Sequence, residues 1–257
     1  MKKPLALALF LLAATGCAIK TPPMSVSQFP VGDRAPYYQQ PHAYRVAVLP
    51  FEDRRPEVER QGQKPKGVFL LLVNSRVGDY YTGNKHFGAN APVQLAEQLA
   101  GYLRKANLFV GVDGPSSLSG LPRRKDANEF KQFAQSKKID YFLTGEIHHF
   151  FGSQHQNAYF YAVPAFYVSL TGWRSSKSLP WGRTVIDFAL VDANNGDVVW
   201  SEQLQADRTL PKDTDAMTSA AMESFLLVSS NLAAKLNQLS LSGQKVTLTR
   251  LSEPVSE

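Results

Sequence analysis

Apolar positions in the last quarter of the chain follow a helical period. Met217, Ala221, Phe225, Val228, Leu232, Leu236 and Leu239 recur at spacings of 4, 4, 3, 4, 4 and 3, which predicts a long helix with one buried stripe. A second amphipathic helix is predicted after Asn90. That residue is suited to cap it, Pro92 fits its first turn, and Leu95, Leu99, Tyr102, Leu103 and Ala106 share one face. Asp126 followed by Glu129 marks a third helix start, with Phe130, Phe133 and Ala134 forming an apolar face through to about Lys138.

Between the helices the pattern changes to short β-branched, aliphatic and aromatic runs. Residues 44–51 (YRVAVLPF), 108–112, 139–151 (IDYFLTGEIHHFF), 184–192 and 197–206 read as strands. The last two are joined at Asn194-Asn195-Gly196, where Asn-Gly supplies the positive φ angles of a tight hairpin. Residues 52–66 are charged and loop-like. The run VFLLLV at 68–73 suits a buried strand or a docking edge, and the strand is preferred. A last strand near residues 245–248 completes the pattern, and no internal repeat is visible. This order predicts an α/β fold, a mixed β-sheet with helices packed mainly on one face.

The N-terminal region has a different character. Lys2 and Lys3 precede an apolar run from Leu5 to Ala14, and small residues lead to Cys17, the layout of an export signal. That run is about half of what a membrane-spanning helix needs. Residues 18–41 hold Pro22, Pro23, Pro30, Pro36 and Pro41 with few aliphatic residues. They read as a tether able to reach about 70 Å at about 3.1 Å per residue. The expected division is a signal peptide over 1–16, a lipidated cysteine and tether over 17–43, one α/β domain over 44–250 and a tail over 251–257.

Ala14-Thr15-Gly16-Cys17 resembles the bacterial lipobox, with Ala14 where leucine is usual. The resemblance implies that Cys17 receives a diacylglyceryl group before cleavage and an N-acyl group after it. Cys17 is the only cysteine of the 257 residues, so lipidation would leave no unpaired thiol in an oxidising compartment. Three acyl chains anchor a protein firmly. Ala18 follows the cysteine, not the aspartate of inner-membrane retention, which implies the outer membrane with the domain facing the periplasm.

Three stretches, VAVLPFEDRRP, LRKANLFVGV and DYFLTGEIHHF followed by FALVDANNGDVVWS, resemble a set of envelope lipoproteins. The set comprises the TolB N-terminal domain, the curli secretion lipoprotein, YajG-like lipoproteins and the auxiliary lipoproteins of envelope ABC transporters. It implies a TolB N-terminal-like sandwich over residues 44–239. None of the shared motifs is catalytic, so the resemblance speaks to fold and compartment.

The formal charge of +6 becomes +4 once Lys2 and Lys3 leave. Arg54-Arg55 and Arg123-Arg124-Lys125 are the dense basic runs, read mainly as solvated loops. Nucleic acid is not an expected partner outside the cytoplasm. Glu146, His148, His149 and His155 invite a metal reading. Strand alternation, however, puts Glu146 and His148 on one face and His149 on the other, short of the three ligands zinc requires. No metal or other cofactor is expected. Gly-x-Ser-x-Gly, Ser-x-x-Lys and His-Glu-x-x-His motifs do not occur, and Gly62 to Gly67 is followed by Val68 and Phe69 where a phosphate loop needs Lys and Ser or Thr.

Residues 159–181 carry seven aromatic residues in 23, namely Tyr159, Phe160, Tyr161, Phe166, Tyr167, Trp173 and Trp181. One reading has their rings completing the core, and another makes them a surface facing a partner or a membrane. The curli secretion lipoprotein, whose inserted hairpins assemble into a transmembrane barrel, suggests a third, against which Pro164 and poor alternation stand. The expectation is a non-enzymatic envelope factor that binds another envelope component, a protein partner, with Tyr159, Tyr161, Phe166, Tyr167, Trp173 and Trp181 as the interface. A subunit of a periplasmic ring or secretion assembly, and a periplasmic enzyme or metal-binding protein, are the alternatives.

Overall fold

Residues 141–164 form one strand of 24 residues, long enough to carry two sets of neighbours. The computed structural model describes residues 24–29, 31–64, 67–70, 73–88, 90–122, 127–164, 169–211 and 217–239. In chain order its elements are β1 (His42–Val48), β2 (Glu52–Asp53), α1 (Glu57–Gln61), β3 (Gly67–Leu70), β4 (Val73–Tyr81), α2 (Asn84–Phe87) and α3 (Ala91–Lys105). There follow β5 (Phe109–Asp113), α4 (Ala127–Lys137), β6 (Tyr141–Pro164), β7 (Ser169–Lys177), β8 (Trp181–Asp192), β9 (Val198–Thr209) and α5 (Met217–Gln238).

The first half of β6 belongs to a mixed sheet. Parallel β1 lies on one edge of it, with β5 beyond and β2 continuing the same edge. Antiparallel β8 lies on the other edge, followed by β9. Val46, Val48, Leu143, Ile147, Ile186, Phe188 and Leu190 form the face that meets α3 and α5. Ala47 and Phe142 look the other way, onto Phe133 and Ala134 of α4. The protein is thus an α/β fold with helices mainly on one face.

The stripe read along α5 is the buried one, since Met217, Ala221, Phe225, Val228, Leu232 and Leu236 are all buried. Phe225 meets Phe150 of β6 edge to face at 6.4 Å. Truncating Phe225 to Ala leaves a void in a close-packed core and is expected to cost about 3–5 kcal/mol, measurable by urea unfolding. Asn90 stands before α3 in the left-handed conformation, φ 63°, and its side chain makes no capping bond.

Three expectations change. The run VFLLLV is not one strand but the meeting of β3 and β4, with Leu70 opposite Val73. The β8–β9 connection is wider than a two-residue Asn-Gly turn. Only Gly196 has positive φ, 78°, and its N–H reaches the Asp192 carbonyl at 2.9 Å.

From Met24 onward the segment read as a tether over 17–43 is strapped along α3. Val26 and Val31 are fully buried, Tyr38 donates its N–H to Ala106 O at 2.8 Å, and Asp33 pairs with Lys105. Each valine lies in a short 3-10 turn, Val26–Gln28 and Val31–Arg34, and burying the two docks this proline-rich segment. Residues 1–23, Cys17 among them, and the suggested strand at 245–248 lie outside the described residues.

Candidate interaction surface

Beyond residue 153, β6 leaves the helix-covered sheet and changes partners. Its residues 153–161 pair with β4 from Tyr81 to Val73, and its residues 156–164 pair with β7 from Lys177 to Ser169. With β3 beyond β4, this makes a four-stranded antiparallel blade in the order β3-β4-β6-β7. Among the described residues no helix packs along β3, β7 or the outer part of β4. Among the described residues no strand lies beside the outer edges of β3 and β7.

The register distributes the aromatic positions. Tyr161 lies opposite Val73 and Gly172, and Tyr159 opposite Ser75 and Arg174, on one face. Phe160 lies opposite Asn74 and Trp173, on the other face. Phe166 and Tyr167 fall outside the described residues. Trp181 belongs to the root of the blade, where Tyr81, Ser153 and Trp181 form one row across three strands. Its ring meets Phe151 edge to face at 5.2 Å, Tyr81 also meets Phe151 at 5.2 Å with the rings tilted, and the Arg183 guanidinium lies over the Trp181 indole. Trp181 thus seals a small cluster at the root, and the others lie further out.

The charged stretch after β1 serves this root. Arg55 is fully buried and grips the Asp53 carboxylate through two N–H groups at 2.8 Å each. It also donates to Asn84 Oδ1 at 2.8 Å. Burial pushes the Asp53 pKa up, but the Arg55 hydrogen bonds and charge outweigh it and hold the carboxyl below its ordinary value of 3.8. Glu59 of α1, also buried, takes His149 Nδ1 at 2.6 Å and the Phe150 N–H at 3.3 Å. Thr82 exchanges hydrogen bonds with Gly152, its hydroxyl accepting at 2.7 Å and its N–H donating at 2.9 Å. These polar clamps hold β6 where the blade begins. Sequence reading missed them because Arg-Arg-Pro-Glu looks like a solvated loop until its partners are known.

The histidines disperse onto separate carboxylates. His148 Nε2 meets Asp187 at 2.8 Å, His149 meets Glu59, His155 Nδ1 meets Asp79 at 2.9 Å, and Glu146 pairs with Arg54. A bulge between Ile147 and His149 overturns the expected alternation. It lets Ile147 and Phe150 both enter the core and puts His148 and His149 on the same face. Among the described residues no three potential metal ligands gather. A cavity of about 530 Å3 opens between α4 and the β8–β9 turn, with Phe130, Phe142 and Val191 as its apolar lining and Asp192 and Lys131 as its charged groups. Asp192 is occupied by the Asn194 N–H at 2.8 Å.

No family model matches the chain, and no curated protein does. Its fold is similar to that of solved bacterial structures. A Xanthomonas campestris protein of the family DUF330 shares 14% identity over 77% of this chain and 87% of that one, with a TM-score of 0.43. The PelC dodecamer of Paraburkholderia phytofirmans shares 16% over 77% and 94%, TM-score 0.38. Lipoprotein GNA1162 of Neisseria meningitidis shares 13% over 76% and 96%, TM-score 0.34. These likenesses concern the fold. Among the described residues no helix is long and apolar enough to cross a membrane.

Proposed function

We propose that the chain is a non-enzymatic outer-membrane lipoprotein facing the periplasm, anchored through acyl chains on Cys17, that docks another envelope component with its blade. The observation that carries this reading is the blade itself. Four strands extend past the core, among the described residues no helix packs along their outer part, and the aromatic positions Tyr159, Phe160, Tyr161 and Trp173 are concentrated there. A water-exposed sheet would be expected to alternate polar and apolar positions, and unpaired strand edges are normally short or charged. The signal run, the small residues before Cys17 and the absence of any second cysteine support the anchor.

The anchor is tested by Cys17→Ser, which is expected to leave the chain unprocessed or released from the membrane in cell fractionation. A variant that is still processed and still membrane-bound would contradict it. Docking is tested with the chain from Ala18 onward, which keeps every described residue, rebinding to washed envelopes. Phe160→Asp and Trp173→Asp are expected to weaken rebinding about tenfold or more, with unchanged melting temperature. Undiminished rebinding by both would remove the blade from the function.

A further inference from the structure

We propose that the protein pairs with a second copy of itself along the open edge of β9, with Glu202 of each copy opposite Arg208 of the other. β9 runs for 12 residues, and among the described residues β8 is its one strand neighbour. From Trp200 to Thr209 the pairing with β8 is regular, and this stretch holds no glycine, proline or lysine. Folded proteins usually blunt an edge with such residues, with bulges or with a cover, because its free N–H and C=O groups are a template for another strand.

The phase of those free groups is fixed by β8. Leu210 donates its N–H to Pro180 O at 2.9 Å, which makes 180 and 210 a hydrogen-bonded pair. The register continues unbroken from there to Leu190 opposite Trp200. Even-numbered residues of β9 therefore bond to β8, and Ser201, Gln203, Gln205, Asp207 and Thr209 turn their N–H and C=O outward. The same residues are all exposed.

An antiparallel copy must match odd residues with odd ones, so the two-fold axis passes through a residue of β9. Axes at Glu202, Asp207 or Arg208 would set like charges against each other. Only the axis at Gln205 puts opposite charges face to face, Glu202 against Arg208 on both sides of the centre. In that register Gln203 meets Asp207, Ser201 meets Thr209 and Leu204 meets Ala206. Among the described residues Arg208 makes no ion pair. Glu202 holds Lys235 through Oε1, and a carboxylate can take a second cation at its other oxygen.

Helix α5 supports the same axis independently. Ser224 Oγ meets Thr184 Oγ1 at 2.7 Å, opposite Ala206, and Lys235 reaches Glu202. Leu227 lies between these two points and so is level with Gln205. Leu227, Asn231 and Lys235 follow one another four residues apart, on the shoulder that faces the β9 edge. Leu227 is 38% exposed, a large apolar side chain left open to water. Because α5 packs on both β8 and β9, the two α5 axes across the seam would stand two strand spacings apart. That is about 10 Å, the distance of packed helices, and it lets Leu227 cover Leu227 of the second copy. The axis is perpendicular to the sheet, so the blades point to opposite ends and stay free to dock.

Cysteine pairing in the full-length protein in its membrane tests the register, with the parent chain, whose one cysteine is Cys17, as the baseline. Gln205→Cys is expected to give a covalent dimer on mild oxidation. Facing residues of a hydrogen-bonded antiparallel pair stand about 5.5 Å apart at Cα, within disulfide range. Ser201→Cys alone is expected to stay monomeric and to crosslink only when co-expressed with Thr209→Cys. A monomeric Gln205→Cys, or equal crosslinking at Gln205→Cys and Ser201→Cys, overturns the proposal. Arg208→Glu is expected to weaken the dimer at least tenfold in sedimentation, at unchanged melting temperature, and Glu202→Arg in the same chain to restore it. A dimer that Arg208→Glu leaves unweakened overturns the proposed register. A monomer whose β9 amides exchange slowly until residues 240–257 are removed overturns self-pairing in favour of the chain's own tail.

Discussion

Gly152→Ala is expected to destabilise the protein by about 3 kcal/mol or more, and Gly182→Ala by a comparable amount. The two glycines are directly opposite each other in β6 and β8. A Cβ on Gly152 would overlap the Met217 carbonyl, and one on Gly182 would overlap the backbone of Ala220 and Ala221. The obstacle in each case is helix backbone, which cannot swing aside like a flexible side chain. The first turn of α5 would have to lift off the sheet, and Phe225 and Val228 behind it would lose part of their packing. Gly101→Ala provides the contrast, because a Cβ there meets nothing within 4 Å and the position is inside α3. It is expected to stabilise by up to about 1 kcal/mol. Urea unfolding of the three variants measures all of this, and equal effects would contradict the close approach of α5.

Arg55→Ala is the second large effect, a loss of about 3–5 kcal/mol. It strands the Asp53 carboxylate and leaves Asn84 Oδ1 without its guanidinium partner, in a region where Arg55 itself is fully buried. Arg55→Lys is expected to recover only part of the loss, because an ammonium cannot present two parallel donors to the carboxylate. The same pair sets a pH dependence. Asp53 has its pKa lowered in the folded state, so its contribution is fully present above the ordinary carboxylate value of 3.8 and is lost as pH falls through the lower folded value. Stability measured from pH 5 downward should therefore fall less steeply in Asp53→Asn than in the parent. An unchanged slope would mean that the pair is not formed in the folded protein.

The readable parts of the fold were those that obey one period. The α5 stripe and the α3 face each bury one side of a helix, so spacing alone locates them. β6 was read only as far as residue 151, because the following Gly-Ser-Gln-His-Gln-Asn stretch has no apolar alternation. It remains a strand because β4 and β7 or β8 hydrogen-bond to both of its edges, a tertiary cause invisible locally. The β3–β4 pairing is not evident in the sequence, since the run from Val68 to Val73 is apolar throughout and offers none of the usual turn residues. The strap hides for another reason, as Val26 and Val31 are isolated anchors among prolines and polar residues. Composition did single out residues 159–181, but only the register separates Trp173 from Tyr159 and Tyr161 and assigns Trp181 to the root.

Hydrogen–deuterium exchange on the chain free and bound to envelopes examines the docking role of the blade most directly. Among the described residues no strand covers the outward amides of β3 and β7, and they are expected to exchange quickly in the free protein. On envelopes, peptides covering residues 67–70 and 169–177 are expected to become protected, with α5 unchanged. Protection confined to α4 and the β8–β9 turn, with the blade exchanging as in the free protein, would contradict the account.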